Sequence, residues 1–392
     1  VTARQVKTAY FTIEGLNSFA TVLYLNYLYF LTRDRFDFGN QRNLTLAALL
    51  GLIYIFAAWQ GGKFAQRCGY FTALKVGFGA LAVAYIVGLI FPGVLGQILA
   101  AVGVTVGTCF IWPSLEALVS DGESEARLPH VIGLYNVVWG VANASAFFIG
   151  GTLIKFFGFQ VIFILPLILT VVMLAMTFRL QKCAVKIAHD SRDQSATAPP
   201  VDPHRPTPQT AKCFLRMAWL ANPFAYIAIN TLIAVIPGIA AKFQLSPMFA
   251  GFVCSLWAFV RLGAFVGLWH WTEWHYRFRW LVAAFVLLIF SFATILMSPN
   301  LIVLIVAQLF FGGAIGLIYY SSLFYSMDAG DAKGEHGGIH EAAIGLGNCL
   351  GPAVGAAALE FVPQVQNSGA IAVSVLLCGG FAGLLAIWKR GK

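Results

Sequence analysis

Twelve apolar runs, at about residues 9–31, 44–61, 72–91, 94–119, 131–156, 161–178, 218–241, 248–269, 279–297, 301–325, 340–361 and 370–388, account for most of the chain. A run of about 20 mostly apolar residues is long enough to cross a bilayer core as a helix, and a helix satisfies its own backbone hydrogen bonds where no water is available. The runs therefore predict an all-α integral membrane protein with twelve transmembrane helices. Composition agrees: 59% of residues are hydrophobic and 10% are charged, against about 25% charged in soluble domains. The first run follows Arg4 and Lys7, but it is too long for a signal-peptide core and has no A-x-A-like cleavage site, so a retained span is expected.

The runs fall into two sets of six. Between them lies "RLQKCAVKIAHDSRDQSATAPPVDPHRPTPQTAKCFLRM", polar, Pro-rich and without periodicity, which reads as a solvated linker. The expected domains are a first six-helix bundle over residues 1–180, a linker over 181–214 and a second bundle over 215–392. With both termini and the linker placed in the cytoplasm, the outer loops hold only Arg33, Arg35, Arg42, Lys155 and Lys242; apart from Arg261, every other Lys and Arg falls inside. This is the positive-inside pattern. It accounts for the net charge of +9 by topology, and no nucleic-acid partner is expected. Seven cysteines, Cys68, Cys109, Cys183, Cys213, Cys254, Cys349 and Cys378, are scattered with no C-x-x-C pair. Neither a disulfide framework nor a zinc site is implied, and no cofactor is expected.

The halves echo each other: the fifth span opens "LPHVIGLYN" and the eleventh "GIHEAAIGLGN", each with I-G-L-x-N shortly after a His. Parallel repeats of this kind point to two bundles related by an axis along the membrane normal. The loop after the second span, "GGKFAQRCGYFTAL", resembles the pattern G-x-L-A-D-R-x-G-R-x-x-x-L of the major facilitator superfamily: Gly62, Ala65, Arg67, Gly69 and Leu74 match, while Gln66 and Tyr70 replace an acidic and a basic residue. Glycines in this loop are expected to let helix ends approach closely, with Arg67 capping carbonyls of a neighbouring helix. The fifth span has Gly133, Ala142, Ala146, Phe147, Gly150 and Gly151 at the spacing of the family's antiporter pattern, and the eleventh has Gly347, Gly351, Pro352, Gly355 and Ala356. Small residues at these intervals predict a packing seam.

The resemblance implies the major facilitator fold, two six-helix bundles joined by a cytoplasmic linker, with the first and fourth spans of each bundle lining a central cavity. On those spans polar residues recur at helical spacing: Glu14, Asn17, Ser18, Thr21 and Tyr24; Thr105, Thr108, Trp112, Glu116 and Ser120; Asn222, Tyr226 and Asn230; Tyr319, Ser322 and Ser326. Polar stripes on four such spans are expected to make a wet pathway. Two ionisable groups stand deepest, Glu14 in the first span and Arg261 in the eighth, with Trp257 one turn before Arg261. An Arg inside a membrane keeps its charge and needs an anion, either Glu14 or an anionic group of the substrate. At the cytoplasmic edge His130, His340 and Glu341 are expected to form a gate, and metal ligation by His336, His340 and Glu341 is not expected.

These features predict a secondary active transporter that moves a small anionic or zwitterionic organic solute by alternating access. Glu14 is the expected proton-coupling carboxylate; Asn17, Tyr24, Thr108, Trp112, Glu116, Tyr226, Asn230, Trp257, Arg261, Tyr319 and Ser322 are the expected substrate contacts. The alternatives are a proton/drug antiporter or a membrane sensor or enzyme on the same scaffold. No G-x-S-x-G, H-E-x-x-H or Walker motif is present, so an enzyme is not expected. The expected setting is a plasma or bacterial inner membrane, with the protein acting as a monomer on substrate and protons.

Overall fold

The computed structural model describes residues 2–123, 127–190, 207–328 and 333–391, except for the side chains of 3, 128–129, 184–190, 327–328 and 333–342. Among the described residues there are thirteen helices and no strand. The first half holds α1 (Ala3–Phe36), α2 (Asn40–Cys68), α3 (Tyr70–Ile90), α4 (Val94–Ser120), α5 (Leu128–Phe157) and α6 (Val161–Asp190). The second holds α7 (Pro208–Lys242), α8 (Pro247–Cys254), α9 (Leu256–His270), α10 (Phe278–Met297), α11 (Leu301–Asp328), α12 (Lys333–Phe361) and α13 (Ser368–Gly391).

Every apolar run is found as a helix. Among the described residues eleven spans are apolar and long enough to cross a membrane, with α8 and α9 forming one of them. The twelfth, α1, has 34 residues, and its stripe of polar residues, not its length, sets it apart. It starts at a capping box, where the Thr2 hydroxyl accepts from the Gln5 N–H at 3.3 Å and the Thr2 N–H donates to Gln5 Oε1 at 2.8 Å. It ends at Asp37 in the left-handed region, φ 54°. The segment expected as linker is helical at both ends, since α6 continues to Asp190 and α7 begins at Pro208. Residues 191–206 lie outside the described residues.

The eighth span is interrupted at Ser255. Its carbonyl accepts from both Ala258 (2.9 Å) and Phe259 (3.4 Å), and its hydroxyl donates back to Phe252 O at 3.2 Å. A hydroxyl and a shared carbonyl thus replace the regular ladder just before Trp257 and Arg261.

Helices pack mainly within their own half, α1 against α5 and α6, α3 against α4, α7 against α11, α12 and α13, and α9 against α11. The halves meet where α2 lies on α12 and α5 lies on α8 and α9. Glycines make the close approaches, as the packing-seam reading expects. A Cβ on Gly347 or Gly351 would lie 2.4 Å or 2.5 Å from the carbonyl oxygens of Pro223 or Ile227 in α7, and one on Gly151 would lie 2.0 Å from that of Pro247. Such contacts let backbones approach within van der Waals range.

The loop motif needs three corrections. An added Cβ at Gly62 meets nothing within 4 Å; the close glycine is Gly61, whose Cβ would lie 2.3 Å from Cys109 O in α4. Arg67 caps no neighbouring helix among the described residues; it is exposed in the last turn of its own helix, where a cation complements the helix dipole. Gly69 makes no close approach either, since an added Cβ there meets nothing within 4 Å; it serves by its φ of +90°, which ends α2 and starts α3.

The N-terminus of α1, the end of α6, the start of α7 and the end of α13 share one side, hereafter the linker side. There Lys7 closes the end of α4. Its ammonium donates to Val119 O and Asp121 O, both at 2.7 Å, and pairs with Glu123 at 2.9 Å.

Candidate functional site

Arg261 lies two turns past the break in the eighth span and is 3% exposed. Its guanidinium carbon stands 4.4 Å from the ring centre of Trp139 in α5, 4.9 Å from Tyr319 in α11 and 5.3 Å from Phe265 one turn on in α9. The rings of Trp139 and Tyr319 are nearly parallel, 10° apart with centres at 6.0 Å. A guanidinium held against π faces in a desolvated site gains about 2 kcal/mol or more. The edge is a different matter: Nε and Nη2 have no hydrogen-bond partner among the described residues. The ion pairs there are Lys7–Glu123, Arg127–Glu123 and Arg277–Glu273, so none involves Arg261. Nε and Nη2 form one side of the planar fork, the side that a carboxylate accepts in parallel.

A second level of rings lies further from the linker side. Trp257, Phe147 and Phe311 are buried together, Trp257 lying 6.4 Å from Phe147 and 5.8 Å from Phe311, both edge-on. The two levels use the same three spans, α5, α9 and α11. One has a cation and a partly exposed Trp139; the other is apolar and closed. Gly312 makes this possible, because a Cβ there would lie 2.4 Å from Trp257 O.

Glu14 is wholly buried in α1, and the Ser18 hydroxyl donates to its Oε1 at 2.7 Å. Tyr135 of α5 lies within electrostatic range of Glu14, of Glu116 and of the ring hydroxyl of Tyr319. Tyr135 and Trp139 are one turn apart on α5, so this helix faces both the acidic and the basic part of the site. Asn17, 0% exposed beside Glu14, has neither amide atom partnered among the described residues.

A family model described as Major Facilitator Superfamily matches residues 8–352. The chain belongs to this superfamily. No curated protein matches its sequence at a significant level. Solved structures match over the whole fold. The human organic anion transporter MFSD10 (TETRAN) has a TM-score of 0.69 at 15% identity, with 99% of each chain covered. A structure from work on proton-dependent oligopeptide transporters has 0.69 at 15% identity, with 100% of each covered. The peptide transporter POT has 0.70 at 14% identity, covering 98% of this chain and 94% of that one. The superfamily protein described here is thus a multi-pass membrane transporter of a small-molecule substrate.

Not every expected contact joins the site of this facilitator. Tyr319 stands in the Arg261 cage, and Tyr226 approaches it with ring centres at 6.3 Å. Trp112 and Tyr226, from opposite halves, pack on one small cluster of Tyr54, Ala58, Cys109 and Ile344. Asn230 turns within its own half, donating to Asn348 Oδ1 at 2.5 Å and to Tyr226 O at 3.3 Å. Glu116 is partly exposed on the linker-side half of α4. Tyr24 stands apart: its ring packs edge-on against Tyr85 of α3 and Phe163 of α6, inside the first half. Thr108 donates to Thr105 O in its own helix at 2.8 Å. Ser322 is buried and its carbonyl accepts from Ser326, which in turn accepts from the Trp219 indole at 2.9 Å. His130 is exposed and lies 4.9 Å from Trp269 at the end of α9, so its partner is the eighth span. The side chains of His340 and Glu341 lie outside the described residues.

Sequence reasoning missed Tyr135, Trp139 and Phe265. The first two sit at i and i+4 in a span read for its small residues, its repeat and His130 and not for its aromatic rings. That spacing, one turn apart and facing the same way, was the available signal.

Proposed function

We propose that this transporter carries a small organic anion or zwitterion, bound through its anionic group to the Nε/Nη2 edge of Arg261, and exchanges access by rocking its two halves as rigid units. The observation that carries this reading is the buried guanidinium set against three rings, with Nε and Nη2 lacking a hydrogen-bond partner among the described residues. A buried cation in that condition is costly until an anion completes it. Glu14, which accepts from Ser18 and lies near Tyr135, is the proton-coupling group: substrate arriving at Arg261 brings negative charge close to a buried carboxylate and favours its protonation. The buried Trp257–Phe147–Phe311 level supports an access path from the linker side in this conformation, with that side cytoplasmic by the distribution of Lys and Arg.

The test is ligand-dependent thermal stabilisation of the purified protein over a panel of carboxylates, phosphates, amino acids and lipophilic cations. A carboxylate hit is expected, with Arg261→Lys weakening it and Arg261→Ala weakening it more. Loss of charge-assisted hydrogen bonds of about 1.5–3 kcal/mol corresponds to about 10- to 150-fold in affinity. A folded Arg261→Ala protein with unchanged affinity overturns the reading. The two carboxylates Glu14 and Glu116, both near Tyr135, favour a second reading, efflux of cationic drugs in exchange for protons; stabilisation by lipophilic cations alone would select it.

A further inference from the structure

We infer that the substrate's anionic group is joined to a flat aromatic ring, and that Trp139 is the specificity-determining residue that receives this ring. The inference rests on Arg261 as the anion contact and deepens that reading.

The geometry separates two functions within one cage. Tyr319 and Phe265 are buried, at 7% and 0% exposure, and both belong to the same half as Arg261. Trp139 comes from the other half and is only partly buried, although its ring lies nearest the guanidinium at 4.4 Å. The indole is thus the one ring of the cage that keeps uncovered surface. It sits across the seam, its plane aligned to within 10° of Tyr319.

The shape of the guanidinium fixes the rest. With ring faces already against Arg261, an incoming carboxylate meets the in-plane edge of the guanidinium, where Nε and Nη2 have no partner among the described residues, and bidentate binding in that plane aligns the carboxylate with the fork. A group conjugated to the carboxylate continues in that plane. An aryl ring continues it flat and offers its face to the partly exposed indole, whereas a saturated ring of equal size is puckered and has no π face. Aromatic pairs of this kind favour offset or tilted contact. The neighbouring Tyr226, 6.3 Å from Tyr319, extends the aromatic lining toward α7.

The test compares 2-naphthoate with its fully saturated analogue, decahydro-2-naphthoate, by binding to the purified full chain. Both carry one carboxylate and nearly the same bulk, so the ratio of their dissociation constants isolates the π face. The wild type is expected to prefer 2-naphthoate by about 2- to 13-fold, the range of an aromatic pair beyond its area. Trp139→Phe is expected to keep most of that preference, and Trp139→Leu to reduce the ratio to near one. A wild-type ratio near one overturns the inference. So does a Trp139→Leu variant that weakens both ligands equally, or one that leaves the preference intact. Failure of the Arg261 reading looks different: neither acid binds, or both bind with affinities that Arg261→Ala does not change, and the aryl inference then falls with it.

Discussion

Gly251→Ala tests how the transporter is closed on the side opposite the linker. Gly251 is buried in α8, and a Cβ there would lie 2.5 Å from the Tyr27 hydroxyl of α1, 3.1 Å from Phe148 O and 3.2 Å from Phe147 O of α5. The tyrosine cannot give way freely. Its hydroxyl donates to Phe147 O at 2.6 Å, and its ring lies against Gly150, where a Cβ would meet it at 2.2 Å. Overpacking a site of this kind costs about 1–3 kcal/mol. If α8 parts from α1 and α5 when that side opens, the whole cost falls on the closed state, and the equilibrium moves about 5- to 150-fold toward opening. Cys254, one turn further along the same span and 3% exposed, is the reporter once Cys68, Cys109, Cys183, Cys213, Cys349 and Cys378 are replaced. A membrane-impermeant maleimide applied from the side opposite the linker should label Cys254 faster in Gly251→Ala, by up to that factor. An unchanged labelling rate in a folded Gly251→Ala protein refutes the reasoning, because the added methyl would then be absorbed equally by both conformations.

Two further outcomes follow from individual contacts. Gly61→Ala should lower the melting temperature, because its methyl meets Cys109 O at 2.3 Å, whereas Gly62→Ala should leave it unchanged or raise it slightly, Ala being about 0.8–1.0 kcal/mol better than Gly in a helix; equal losses would restore Gly62 as the packing residue. Glu14→Gln keeps an acceptor for Ser18, whose bond to Oε1 is 2.7 Å, but cannot titrate. Counterflow exchange in vesicles should persist while accumulation driven by a pH gradient disappears, and retained accumulation would move the coupling site elsewhere.

Much of the fold was legible because lipid permits so few solutions. Apolar length alone located every span, and the ends moved mainly where helices continue into polar sequence, as at residues 181–190 and 208–217. Ser255 was not legible: a serine in an apolar run gives no sign that its carbonyl will be shared between Ala258 and Phe259. In the site, Glu14 and Arg261 stood out because a charge inside lipid demands a reason. Tyr24 failed because a helical stripe gives an angle around the axis, and its far end can turn into its own bundle, here toward Tyr85 and Phe163. Trp139 was missed for the converse reason. In a chain with 15% aromatic residues no single ring is conspicuous until a guanidinium is found against it. The loop motif shows a similar limit, since adjacent glycines look alike in sequence and only Gly61 faces α4.

The most direct measurement of the central claim is uptake of a labelled aromatic carboxylate into proteoliposomes containing the full chain, under an imposed pH gradient. The account predicts accumulation of the chemically unchanged acid, abolished by Arg261→Ala. Uptake that Arg261→Ala leaves intact, or recovery of a chemically altered product, would contradict it.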